Sequence, residues 1–163
     1  VANHIIGGHI HFGISDCITH NFVNYISRYA GIPLRKIEHE EDLKHRGYVE
    51  FGYGLFGSFN TTDHGFEWRM PASWLVSSEI ALAALSLTYV VVKEYKINPE
   101  NTRIPSMVDQ IRSVQSPITT GRLIGKIEKM KEYGKYSKEI EPLFAMLIEN
   151  QKWKTDIDIR TMW

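Results

Sequence analysis

Two short stretches, residues 5–14 and 65–70, alternate in character with the period of a strand, and they constrain the fold more than any other feature. Successive side chains of a strand point to opposite faces. In the first stretch His9 and His11 therefore share a face with Gly7 and Gly13, while Ile10, Phe12 and Ile14 take the other. In the second, Phe66, Trp68 and Met70 oppose Gly65, Glu67 and Arg69. A slip of one residue would bury the charges and expose the aromatics, so each strand is committed to laying its apolar row on a core. Glycines on the polar face leave bare backbone between the imidazoles, where a bulky ligand can approach.

The remaining pattern supplies helices. Apolar residues Phe22, Val23, Ile26 and Tyr29 recur at helical spacing from about residue 19 to 30, with Gly31 and Pro33 read as the stop. Residues 38–46 are charged, and their acidic members Glu38, Glu40, Glu41 and Asp42 read as a solvated helix face rather than a metal cluster. Aromatics and glycines over residues 48–60 predict a second strand, joined to the Glu67 strand by a turn at 60–64. Pro71 ends that last strand. The apolar run 76–92 predicts a buried helix of about 18–20 residues if it continues to Lys96. It contains Glu79 and several hydroxyl residues and falls short of the roughly 20 apolar residues of a membrane span. Residues 105–150 predict two or three amphipathic helices separated by Pro117 and Gly134. The architecture expected is α+β, a small antiparallel sheet followed by helices.

At 163 residues the chain suffices for one domain with its own core. Lysines plus arginines number 19 and aspartates plus glutamates 19, so no net positive charge draws it to nucleic acid or an anionic membrane. The one cysteine, Cys17, can form no internal disulfide and reads as a small buried apolar residue. With no signal peptide legible at the start, the expected location is the cytoplasm, or the host cytoplasm if the chain is phage-encoded.

If the two polar faces lie on the same side of one sheet, they unite two imidazoles, a carboxylate and a guanidinium. Glu67 is the natural ligand for magnesium or manganese, with His9 a second, and Arg69 suits phosphoryl oxygens through its bidentate fork. Singly the motifs have plainer readings. An H-x-H pair can be two structurally bonded histidines, and an E-x-R triplet can be an ion pair worth about 0–1 kcal/mol. The segment GRLIGK, residues 121–126, has the wrong spacing for a phosphate-binding loop and reads as helix surface. His20, His39, His45 and His64 read as surface or loop residues, with His64 near enough to the last strand to support the site.

The stretch GGHIHFGI, residues 7–14, resembles the glycine-rich H-x-H strand of the carboxylate-amine ligases (amidoligases) related to glutamine synthetase and glutamate-cysteine ligase. HGFEWRMPASWL, residues 64–75, resembles their later E-x-R strand, and GYGLFGSFN, residues 52–60, is similar to the approach to it in the phage-type branch. The resemblance implies an ATP-dependent ligase that forms an amide or peptide bond through an acyl phosphate. Glu67 and His9 would then hold Mg2+ or Mn2+, His11 would lie by the nucleotide, and Arg69 would stabilise the transferring phosphoryl group. Arg46 is a further candidate for a phosphate or substrate carboxylate. The implied partners are small-molecule or peptide carboxylates and amines.

Two departures shape the expectation. Asn60 stands where the phage-type branch often has an arginine. The family's other metal-binding carboxylates precede the H-x-H strand, yet residues 1–6 include no acidic group. Residues 1–96 are therefore expected to form the later half of a glutamine-synthetase-like catalytic domain, completed by a missing N-terminal segment or a second chain. Residues 97–163 would be a helical extension packed on it. The rival readings are a zinc hydrolase using His4, His9 and His11, and a non-catalytic or degenerate ligase or phage structural protein.

Overall fold

The computed structural model describes residues 8–13, 19–40, 54–103, 117–154 and 159–162. It is an α+β protein with a three-stranded antiparallel sheet in the order β1-β3-β2, where β1 is Ile10–Phe12, β2 Phe59–Thr62 and β3 Gly65–Trp68. The central strand β3 pairs Glu67 with His11 on one side and with Asn60 on the other. Helices α1 (His20–Ile26) and α2 (Ile32–Ile37), joined by a π-helical turn at Ser27–Gly31, follow β1. After the sheet come α3 (Ser78–Ile97), α4 (Pro117–Ile127) and α5 (Tyr133–Ile148), then a short 3-10 turn at Ile159–Thr161.

The strand parity expected from sequence holds. Phe66, Trp68 and Met70 are buried, while Glu67 and Arg69 are only partly covered. Phe12 stacks on Phe66 with ring centroids 4.7 Å apart, and Phe22 of α1 meets Phe66 edge-on at 5.7 Å. Phe22 in turn touches Tyr95 of α3 at 5.1 Å. This aromatic column runs from the sheet through α1 to α3, and each such side chain contributes about 1.5–3 kcal/mol on burial.

Thr19 caps α1 by accepting the Phe22 N–H at 3.1 Å, but Gly31 and Pro33 do not end the helix as the sequence suggests. The backbone widens instead, with the Ile32 N–H reaching the Ser27 carbonyl, and continues to Ile37. A π turn just ahead of Pro33 accommodates a ring that would otherwise press on the preceding turn. The bare Gly31 is needed for packing, since a Cβ there would lie 2.4 Å from Met70 Sδ and 3.0 Å from Trp68 Cζ2.

Glu38 departs from the solvated face expected of it. It is fully buried, and its Oε1 accepts the Ala72 N–H at 3.0 Å. Glu40 is exposed, while Glu41 and Asp42 lie outside the described residues. The strand expected before Phe59 is also replaced over residues 54–58 by a turn-rich loop, in which Gly54 and Gly57 adopt φ of 76° and 77°, open to glycine at no steric cost. Asn60 lies within β2, and the connection to β3 shrinks to Asp63 and His64.

Helix α3 spans 20 residues from its Ser77 cap, whose side chain accepts the Ile80 N–H at 3.2 Å. One side is buried through Ala83, Ala84, Leu87, Val90 and Val91, whereas Leu82, Leu85 and Tyr89 on the other side are exposed. Helix α5 packs on α2, α3 and α4, and the Trp153 N–H donates to the Ile37 carbonyl at 2.9 Å. Gly134 lies inside α5 rather than between helices, and residues 121–126 occupy α4, where a Cβ on Gly121 or Gly125 would meet nothing. Among the described residues, no helix is long and apolar enough to cross a membrane.

Candidate active site

Glu67 stands at the middle of the central strand, so cross-strand pairing alone places His11 and Asn60 at its sides. His9 and Arg69 lie one strand period further along the same face. All four residues expected to share a face do so. His9 Nδ1 contacts Glu67 Oε1 directly, His11 Nε2 lies 3.9 Å from the same oxygen, and Arg69 Nε lies 3.9 Å from Oε2. The His11 side chain is 68 % exposed, against 20, 18 and 17 % for His9, Glu67 and Arg69, so His11 forms the open lip and the other three the floor.

The backbone beneath Arg69 is held at both polar groups. Its N–H donates to the Ser58 carbonyl at 3.0 Å and its carbonyl accepts the Gly54 N–H at 3.1 Å. The Gly54 carbonyl accepts from Arg35 of α2. Ser27, at the start of the π turn, uses its hydroxyl to accept both the Gly57 N–H at 3.2 Å and the Trp68 indole N–H at 3.1 Å. The π turn thereby ties the glycine loop and the central strand to one atom, which fixes the guanidinium's point of origin.

Asn60 enlarges the set. With its amide oxygen turned toward the guanidinium, the orientation that satisfies both ends, it accepts from Arg69 Nη1 at 2.8 Å while its NH2 donates to the Phe59 carbonyl at 3.2 Å. The sequence held a signal for this: the alternation of Phe59 and Asn60 matches that of Trp68 and Glu67. Arg46 and His4 lie outside the described residues, as do Gly7, Cys17 and His45. His64 sits in the exposed turn between β2 and β3, and His20 is exposed at the start of α1, edge-on to Phe59 at 5.6 Å. Among the described residues, no group of three or more His, Cys, Asp or Glu side chains is placed to hold a metal ion.

Chemically, this face combines a carboxylate, two groups able to donate or accept protons, and a fixed guanidinium fork. Fold and site thus define a class, an α+β domain whose sheet gathers two imidazoles, a carboxylate and a guanidinium on one side. A family model described as phage phiEco32-like COOH.NH2 ligase-type 2 matches residues 1–163, and the chain belongs to that family of carboxylate-amine ligases, which join carbon to nitrogen. No curated protein and no solved structure matches the chain.

Proposed function

We propose that this chain contributes one wall of the active site of an ATP-dependent carboxylate-amine ligase that forms an amide or peptide bond through an acyl phosphate. The observation that carries the reading is the gathering of His9, His11, Glu67 and Arg69 on one sheet face, with Glu67 at its centre. In the reaction, a carboxylate oxygen of the first substrate attacks the γ-phosphorus of ATP, and the bond to the bridging oxygen of ADP breaks. An amine nitrogen then attacks the acyl carbon, the carbon–oxygen bond to phosphate breaks, and the nitrogen gives up a proton.

Each step brings anions together, so neutralising charge is the main demand on the protein. Arg69, 17 % exposed and oriented by Asn60, is the group suited to the transferring phosphoryl. His11 is open enough to meet a nucleotide or take the amine proton. Mg2+ or Mn2+ would supply further charge neutralisation between the phosphates. Glu67 would hold such an ion, and His9 would join it once its Nδ1 contact with Oε1 gave way; together they fill only part of the coordination shell of a cation that prefers six oxygens. Further carboxylates from a preceding segment or a second chain would complete it, and Arg46 remains a candidate for an anionic substrate group. The cytoplasm, that of the host if the chain is phage-encoded, suits a reaction that consumes ATP.

The direct contact between His9 and Glu67 also suits a non-catalytic relative in which the two simply satisfy each other. An isotope experiment separates the readings. Amino acids and short peptides labelled with 18O in the carboxylate are supplied with ATP, Mg2+ and an amine to the intact protein. The ligase passes one labelled oxygen to inorganic phosphate for each amide formed. Amide formation with unlabelled phosphate contradicts the acyl phosphate, and failure to bind Mg2+-ATP contradicts the ligase.

A further inference from the structure

The loop that leaves β3 returns to grip the residue just before His9. The Gly8 N–H donates to the Pro71 carbonyl at 3.2 Å, and the Gly8 carbonyl accepts the indole N–H of Trp74 at 2.7 Å. Both backbone polar groups of Gly8 are thus held by residues 71–74. A Cβ at Gly8 would lie 2.0 Å from the Ala72 carbonyl oxygen and 2.5 Å from Trp74 Cδ1, so this glycine serves the indole rather than a ligand. The loop has its own anchor, for the buried Glu38 at the end of α2 accepts the Ala72 N–H. A carboxylate taken wholly out of water is costly unless hydrogen-bonded or charge-compensated, and here the Ala72 N–H supplies a hydrogen bond while Lys152 feels its charge.

We propose that Trp74, seated by Glu38, is a positioning residue that fixes His9 on Glu67 through the backbone of Gly8. The chain of contacts is short and continuous: Glu38 to Ala72, Trp74 to Gly8, and His9 Nδ1 to Glu67 as the next side chain along. Loss of the indole N–H releases the Gly8 carbonyl and lets the imidazole leave the carboxylate. The effect on turnover rests on the ligase reading above, whereas the effect on His9 does not.

The test reads the His9 ring directly. An ionised Glu67 can only accept, so Nδ1 in contact with it carries the proton, whereas a free neutral histidine leaves Nδ1 mostly unprotonated. In nitrogen-15 NMR at about pH 8.5, above the ordinary histidine range, wild-type His9 gives a protonated-type Nδ1 shift. Trp74→Phe moves that shift toward the unprotonated value and lowers kcat/KM for Mg2+-ATP about 10-fold, the cost of a misplaced group.

Should Trp74→Phe not fold, two variants at Glu38 carry the same test. Glu38→Leu removes the acceptor for Ala72 and shifts the His9 signal, while Glu38→Gln keeps an acceptor oxygen and restores it. An unchanged Nδ1 shift in folded Trp74→Phe, or equal shifts in the two Glu38 variants, overturns the proposal. If the His9 signal moves as stated but no form of the protein releases ADP, the ligase reading fails and the positioning role stands.

Discussion

The two faces of the three-stranded sheet are made from alternate residues of the same strands, and they are held in opposite ways. The lower face, with Phe12, Phe59, Phe66 and Trp68, is fixed by aromatic packing, including a Phe59–Phe66 edge contact at 6.1 Å. The upper face, with His9, Asn60, Glu67 and Arg69, is fixed by hydrogen bonds and charge, much of it supplied through backbone anchors on either side of Arg69. The contrast teaches where each kind of damage should appear. Lower-face changes should cost stability first and activity only through it, whereas upper-face changes should cost activity at nearly constant stability.

The largest effect expected is on the lower face. Trp68→Ala removes a fully buried ring and its hydrogen bond to Ser27, and should destabilise the fold by about 3–5 kcal/mol, read as a lower urea midpoint. On the upper face, Arg69→Lys keeps the charge but loses the planar fork that Asn60 orients. ADP release should fall about 10–100-fold, with the melting temperature within about 2 °C of wild type. A matching loss of stability in that variant would break the contrast between the faces.

Gly31→Ala sharpens it from beneath. The added methyl must displace Met70 and Trp68, so a destabilisation of about 1–3 kcal/mol is expected in thermal unfolding, with normal kinetics per folded molecule. The smallest effect at neutral pH concerns the aromatic column further down. Burial, followed by the neighbouring Tyr29 and then Glu94, pushes the Tyr25 phenol well above its ordinary range; burial and then Glu100 push Tyr29 up as well. The folded protein therefore holds those protons more tightly than the unfolded chain, and their contribution is fully present below about pH 10 and is lost as pH rises beyond it. Tyr25→Phe should flatten the fall in melting temperature between about pH 10 and 11; an unaltered fall would assign the alkaline limb to other groups.

What was legible in the sequence follows from physics that acts over short range. Period-two alternation identified both faces and thereby the company of His9, His11, Glu67 and Arg69, because a strand has no other way to bury Phe66 and Trp68. The long helix was legible from its apolar run up to the exposed stripe of Leu82, Leu85 and Tyr89. Failures came where a distant partner overrode a local signal. Gly31 and Pro33 read as a stop, but Trp68 and Met70, more than 30 positions away, need the helix to pass beneath them. Glu38 read as solvated because its hydrogen-bond donor, the Ala72 N–H, is 34 positions distant. Asn60 reads as the junction of strand and turn, and pairing with the Glu67 strand carries β2 on to Thr62.

The central claim, that catalysis belongs to the polar face around Glu67, is tested most directly by ADP release from the intact protein. With ATP, Mg2+, pooled N-acetylated amino acids as carboxylates and pooled amino-acid amides as amines, the wild type should release ADP and phosphate only when both pools are present. Glu67→Ala should lose that release by about 100-fold or more while keeping its fold. Release by Glu67→Ala at the wild-type rate would contradict the account.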